Sequence, residues 1–258
     1  VHHLSHHEID HIVFDDIEGL GSPDAIFPNN WITFHQNGTV VLYPMMSCKR
    51  RNERRLDIIE SLSNSGFSIT NTIDMSYLEN KSHYLEGTGS MILDRVCKKA
   101  YACISSRTTS EALSVFSNIM NYQIIEFSSS TKIPIYHTNV MMSIGEDTAL
   151  VCFDAIVEKE ICSQLKMELN DSGRTVINLS IDQMNNFLGN ALEVRNKKDK
   201  KYLLMSETAK KSLTAEQERM IEERLNLLSF PIPTIEKYGG GSVRCMLAEI
   251  FLEEKSKK

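Results

Sequence analysis

Five short punctuations recur at nearly equal intervals along this chain. They are Pro28-Asn29-Asn30-Trp31, Glu86-Gly87-Thr88-Gly89, His137-Thr138-Asn139-Val140, Gly189-Asn190-Ala191-Leu192 and Gly239-Gly240-Gly241-Ser242-Val243-Arg244-Cys245. Each flanks a short apolar run. One polar residue from each, Asn30, Glu86, His137, Asn190 and Cys245, gives steps of 56, 51, 53 and 55 residues. A period of this size marks a repeated supersecondary unit. Each step has room for a helix and a few strands. Five such units, if they close, would aim their polar hooks at one centre.

The stretches between the hooks alternate in type. Ile9 to Phe14, Thr39 to Leu42, Leu150 to Phe153 and Val176 to Leu179 are short and β-rich, and Ile69 to Ile73 reads as extended. Asn52 to Ser65 carries Leu56, Ile59 and Leu62 on one helical face, with Gly66 as a stop. Thr109 to Tyr122 repeats the pattern through Ala112, Leu113, Phe116, Ile119 and Met120. Thr214 to Gln217 has capping-box spacing ahead of a helix bearing Ile221, Leu225 and Leu228. Arg244 to Phe251 is expected to be a closing strand. The fold class is α/β, a single domain over residues 1–258 with no long linker. The doubtful ends are Val1 to His7 and the charged tail Glu253 to Lys258.

Composition narrows the function. A net charge of −6 argues against a general nucleic-acid binder, which carries a basic stripe. The runs Lys49-Arg50-Arg51 and Lys197 to Lys201 read as solvated faces. No apolar run approaches the ~20 residues of a membrane span. Six cysteines at irregular gaps, without a CxxC pair, fit a reducing cytoplasm better than a disulfide scaffold. The start at Val1 resembles neither a signal nor a transit peptide. The pairs His2/His6 and His3/His7 have chelating i, i+4 spacing, but no Cys or carboxylate completes a metal set. A solvated helix face is the simpler reading.

Three hooks carry catalytic chemistry. Cys245 follows three glycines, a context that brings backbone close to a ligand and exposes a side chain. His137 sits in a small-polar, β-like string, and Glu86 in a glycine-rich loop. Cysteine, histidine and glutamate together supply a nucleophile, a general acid/base and an orienting carboxylate. The plain alternative is a buried thiol, a core histidine and a surface glutamate.

The strings EGTGSMILDR, YHTNVMM and GGGSVRCM, in this order, resemble the catalytic segments of the guanidino-group-modifying enzymes, the pentein superfamily. SPDAIFPNNW and PMMSCKRRNE match as well, and the resemblance covers about residues 9–252. The nearest branch is the bacterial amidinotransferase-like proteins related to citrulline hydrolases. The resemblance implies a five-unit ββαβ propeller whose first strand and helix precede Val1, so the first unit is expected to be incomplete or rebuilt by the chain's closure. It also implies roles: Cys245 as nucleophile, His137 as general acid/base and Glu86 as the carboxylate holding the substrate nitrogens. Arg50 and Arg107 fall where deiminases bind the substrate α-carboxylate, a pairing suited to planar guanidinium groups. Asp24 falls in the substrate-contact region. Asn190 receives no role.

Two positions depart from the arginine deiminases. Asn30 and Asn139 stand where those enzymes carry aspartates, which removes about two negative charges and adds N–H donors. The expected activity is therefore a cysteine-dependent hydrolase of the ureido group of citrulline, passing through a covalent thio-intermediate. It calls for no metal and no organic cofactor. The expected partner is a small amino-acid substrate, with no nucleic acid and no membrane; homo-oligomerisation is left open. The enzymic alternatives are an arginine or methylarginine deiminase or an amidinotransferase. The alternative of another class is a non-enzymic propeller that binds a macromolecule.

Overall fold

The predicted period is visible as a ββαβ unit repeated four times in the computed structural model, which describes residues 1–19, 21–132 and 134–255. The strands are β1 (Ile32–Phe34), β2 (Thr39–Leu42) and β3 (Asn71–Asp74), then β4 (Met91–Asp94), β5 (Lys99–Cys103) and β6 (Gln123–Phe127). The third unit has β7 (Met142–Ile144), β8 (Thr148–Val151) and β9 (Thr175–Asn178), and the fourth β10 (Leu192–Arg195), β11 (Lys201–Ser206) and β12 (Asn226–Phe230). In each unit the first strand pairs antiparallel with the second, and the second parallel with the third. A parallel pair needs a crossover, and a helix supplies it. These helices are Leu56–Asn64, Ser110–Met120, Lys159–Asp171 and Ala215–Glu222.

Local sequence explains the units. β2 and β8 are buried along all four residues, as continuous β-branched and aliphatic runs predict for covered central strands. The helix at 110–120 starts where the Thr109 side chain accepts from Ala112 N and ends at Asn121 in the left-handed region, φ 55°. Its buried face is Ala112, Leu113, Phe116 and Met120; the predicted Ile119 is exposed. The Thr214–Gln217 capping box forms as expected, and Ser180 with Gln183 makes a second. The two glutamines bridge the boxes, Gln183 Nε2 donating to Gln217 Oε1 at 2.7 Å.

The fifth sector departs from expectation. Arg244 to Phe251 is no strand: Val243–Met246 forms a 3-10 turn and the chain then runs irregularly. Ile9 to Phe14 is no strand either. Both stretches are apolar enough to be strands, but neither meets a ladder partner there. One helix boundary also shifts: the predicted 52–65 helix begins only at Leu56, after a 3-10 turn over Cys48–Glu53. The end of the chain instead reaches the first unit, where Ser68 N donates to Glu253 O at 2.7 Å and Lys255 N to Gly66 O at 2.7 Å. The last three residues of the charged tail lie outside the described residues.

Two of the N-terminal histidines pack against the fourth unit. His2–His6 is a short helix that lays Leu4 on the fourth unit. The His3 ring lies 5.8 Å from Phe230 and the His7 ring 5.3 Å from Tyr202. Among the described residues no group of three or more His, Cys, Asp or Glu is placed to hold a metal ion. No described helix is long and apolar enough to cross a membrane.

Candidate active site

Four of the hooks lie just ahead of the first strand of a unit, and the fifth, Cys245, lies in a turn of the fifth sector. Asn30 ends a 3-10 turn before β1, and Glu86 leads the helical turn Gly87–Ser90 before β4. His137 leads the turn Thr138–Val140 before β7, Asn190 lies just ahead of β10, and Cys245 is in the turn Val243–Met246. None is more than 4% exposed. Buried polar side chains need partners: Glu86 finds His137, Asn190 finds Cys245, and Asn30 bonds Arg50.

Glycine makes this approach feasible at two points. A Cβ on Gly89 would lie 2.2 Å from Asn30 Nδ2 and 3.3 Å from the His137 ring. A Cβ on Gly241 would lie 3.0 Å from the Phe27 ring and 3.2 Å from the Cys245 Cβ.

Glu86 is the hub. Its Oε2 accepts from His137 Nε2 at 2.7 Å and from Arg107 Nη1 at 3.2 Å, and Arg50 Nη1 lies 3.5 Å away. Its Oε1 accepts from Met46 N at 3.1 Å. Burial pushes the Glu86 carboxyl up, but the His137 bond and the charges of Arg107 and Arg50 outweigh it and hold it down at about 2. The carboxylate is therefore ionised at neutral pH, and the Nε2 that faces it carries the proton. Burial pushes the His137 imidazole down, against the pull of Glu86. Such an imidazole is neutral at pH 7 and ready to take a proton.

Cys245 sits among amides. Asn139 Nδ2 donates to its Sγ at 3.3 Å and Asn190 Nδ2 at 3.2 Å. The sulfur and the imidazole flank one small cavity of about 50 Å³. Asp24, Asn30, Arg50 and Arg107 line it too, so seven of the eight predicted site residues either line the cavity or touch the sulfur; the eighth, Glu86, is bonded to His137.

The two arginines differ. Arg50 is no solvated face, since it is 3% exposed. Its planar fork grips Glu53 through Nε at 2.9 Å and Nη2 at 2.8 Å, and Nη1 donates to Asn30 Oδ1 at 2.9 Å. Asp24 lies 3.6 Å from Arg50 Nε. Arg107 is more open, with its guanidinium over the Tyr136 ring at 4.9 Å.

Sequence reasoning passed over Tyr136 and Glu53. The Tyr136 hydroxyl donates to Gly240 O at 2.9 Å, tying the third unit to the glycine run. Glu53 lies in the same Lys/Arg-rich string as Arg50, three residues on, and that spacing was the available signal.

Residues 1–252 match the profile of the family described as N,N dimethylarginine dimethylhydrolase, eukaryotic. The chain belongs to that family. Its fold is of the pentein type, α/β with ββαβ units. No curated protein matches in sequence. Among solved structures, apo ArgZ, an arginine dihydrolase from the ornithine-ammonia cycle in cyanobacteria, superposes with a TM-score of 0.69 at 16% identity, over 90% of this chain and 33% of that one. The N-terminal domain of ArgZ bound to product gives 0.66 at 17% identity, over 88% of this chain and 75% of that one. A dimethylarginine dimethylaminohydrolase adduct with 4-chloro-2-hydroxymethylpyridine gives 0.59 at 13% identity, over 87% and 78%. The chain thus spans about a third of full-length ArgZ, and at these identities the likeness establishes the fold.

Proposed function

We propose that this chain is a cysteine-dependent hydrolase that converts citrulline and water to ornithine, ammonia and carbon dioxide. The observation that carries the choice of substrate is a complementary pair of open amide atoms. Arg50 can only donate, so Asn30 must turn its Oδ1 toward it, and the Asn30 Nδ2 is left buried without a protein partner. Asn139 gives its Nδ2 to the sulfur, and its buried Oδ1 is left without one. A free donor and a free acceptor suit a neutral urea: the urea oxygen accepts from Asn30 and a urea NH₂ donates to Asn139. A guanidinium has no acceptor for Asn30 and carries a charge that a dry pocket must neutralise.

The chemistry follows from the same residues. The Cys245 thiolate attacks the ureido carbon, forming a C–S bond. One C–N bond breaks as His137 passes to the departing nitrogen a proton that it draws from water. The hydroxide so formed attacks the S-linked carbonyl carbon, and the sulfur leaves as the thiolate. The resulting carbamate loses carbon dioxide. Glu86 holds the imidazole in place, and Arg107 is the guanidinium open to a substrate α-carboxylate. We place the reaction in the cytoplasm, because all six cysteines are free and the nucleophile must stay reduced.

The test is a substrate panel of citrulline, arginine, methylarginine, agmatine and succinylarginine, with ammonia and carbon dioxide both measured. Citrulline should release both, and agmatine, which lacks the carboxylate, should be poor by on the order of 10²-fold. Conversion of arginine to citrulline with no further reaction overturns the substrate assignment in favour of a deiminase. Turnover in Cys245→Ala overturns the mechanism.

A further inference from the structure

Asn190, the fourth hook, takes no part in the reading so far. Its side chain is fully buried and makes three contacts. Its Oδ1 accepts from Cys245 N at 3.4 Å, and its Nδ2 donates to Asn139 O at 2.9 Å and to Cys245 Sγ at 3.2 Å. Two of these partners are backbone groups that leave no choice of orientation. The N–H of Cys245 can only donate, so it must face Oδ1; the carbonyl of Asn139 can only accept, so it must face Nδ2. With the amide locked this way, its second N–H is aimed at the sulfur. Asn139 supplies the other donor from the third unit.

We infer that Asn190 and Asn139 form a thiolate hole, a pair of neutral amide donors that holds the attacking sulfur as an anion and fixes its direction. Hydrogen bonds to a charged acceptor favour the charged form, and they strengthen in a buried site. The alternative device for activating a thiol, an adjacent imidazolium, is not what touches this sulfur. Among the described residues, the hydrogen bonds reaching Sγ come from the two amides, while His137 Nε2 is bonded to Glu86. The other ionisable groups around the cavity are Asp24, Arg50, Arg107 and Tyr136. This division leaves His137 neutral and free for proton transfer. It also explains why an asparagine, rather than any small polar residue, occupies the fourth hook: both ends of the amide are used.

The inference rests on Cys245 as the nucleophile, but its test needs no substrate and so fails separately from the citrulline assignment. The readout is the alkylation rate of Cys245 by iodoacetamide, followed by mass spectrometry, with exposed Cys48 and Cys97 as internal references. Asn190→Leu keeps the shape and removes the donor. Alkylation at neutral pH should slow by roughly tenfold, the scale of one charge-assisted hydrogen bond. At alkaline pH the rate should return toward that of the unmodified chain. An unchanged neutral rate, or an equal loss at both pH values, overturns the proposal, the latter because it reports access rather than charge. His137→Gln provides an arm that leaves Asn190 and its packing intact: it should leave the alkylation rate at neutral pH within about twofold of the unmodified chain. A tenfold loss there assigns the thiolate to the imidazole and overturns the proposal.

Discussion

A few side-chain atoms decide what this site can hold, and two substitutions separate their effects. Asn30→Asp together with Asn139→Asp restores the acidic pair of the arginine deiminases. It replaces the open donor and the open acceptor by carboxylate oxygens, which repel a urea oxygen and attract a guanidinium. Citrulline kcat/KM should fall by on the order of 10²-fold while the KM for arginine drops; steady-state kinetics on both substrates reads it. Gly89→Ala is a pure steric probe. The added methyl would sit 2.2 Å from Asn30 Nδ2, and Asn30 cannot retreat freely because its Oδ1 is held by Arg50. Activity should fall about 10²-fold, as expected for misplacing a positioning group by an ångström, and the overpacking should cost about 1–3 kcal/mol, read as a lower Tm. Cys245, His137 and Glu86 were legible as sequence because their side chains are chemically rare in such contexts. Asn190 was visible only as a position. An asparagine after a glycine looks like any turn residue, and its partner sulfur lies 55 residues away.

Elements were legible where local pattern and tertiary pairing agree. The helix over 110–120 announces both its cap and its apolar face, and β2 and β8 are recognisable as buried central strands. Ile9–Phe14 and Arg244–Phe251 have strand-like composition without a strand to pair with, and composition alone cannot supply one. The β1–β2 hairpin carries a further consequence. Arg95 can only donate, so His35 Nδ1 accepts from it at 3.2 Å, and Nε2–H donates to Thr33 Oγ1 at 2.9 Å. Thr33 in turn bonds Tyr43 at 2.7 Å. Burial, with Arg95 and Lys98 nearby, pushes the imidazole down to about 3. Between about pH 6.5 and about pH 3 the unfolded chain therefore binds a proton at His35 that the folded chain does not. Stability must fall as pH falls through that window, with up to about 1.4 kcal/mol per pH unit from this residue. Urea unfolding at stepped pH should show the decline, and His35→Gln should flatten it; an unchanged slope in that variant places the effect elsewhere.

At the scale of the whole molecule, the site exists because units far apart in sequence converge, so its geometry depends on how the ends of the chain are fixed. The nucleophile lies ahead of the final segment, and that segment is fastened to the first unit. Leu252 packs with Leu62, Trp31 and Phe34, Phe67 bridges to Glu254, and Lys255 Nζ donates to Ser63 O at 2.7 Å. Asn30 and Arg50 belong to that same first unit. The fastening therefore links the sector that carries the sulfur to the sector that carries the urea donor, closing across nearly the full length of the chain. Such long-range contacts form late in folding and hold the least local support. Leu252→Ala deletes a buried side chain without touching the cavity. It should cost about 2–5 kcal/mol, read as a lower Tm and urea midpoint. If the fastening also sets the register between Cys245 and Asn30, kcat should drop several-fold at temperatures where the variant is still fully folded by circular dichroism. A variant that loses stability but keeps full kcat shows that the third and fourth units, through Asn139 and Asn190, are enough to hold the sulfur.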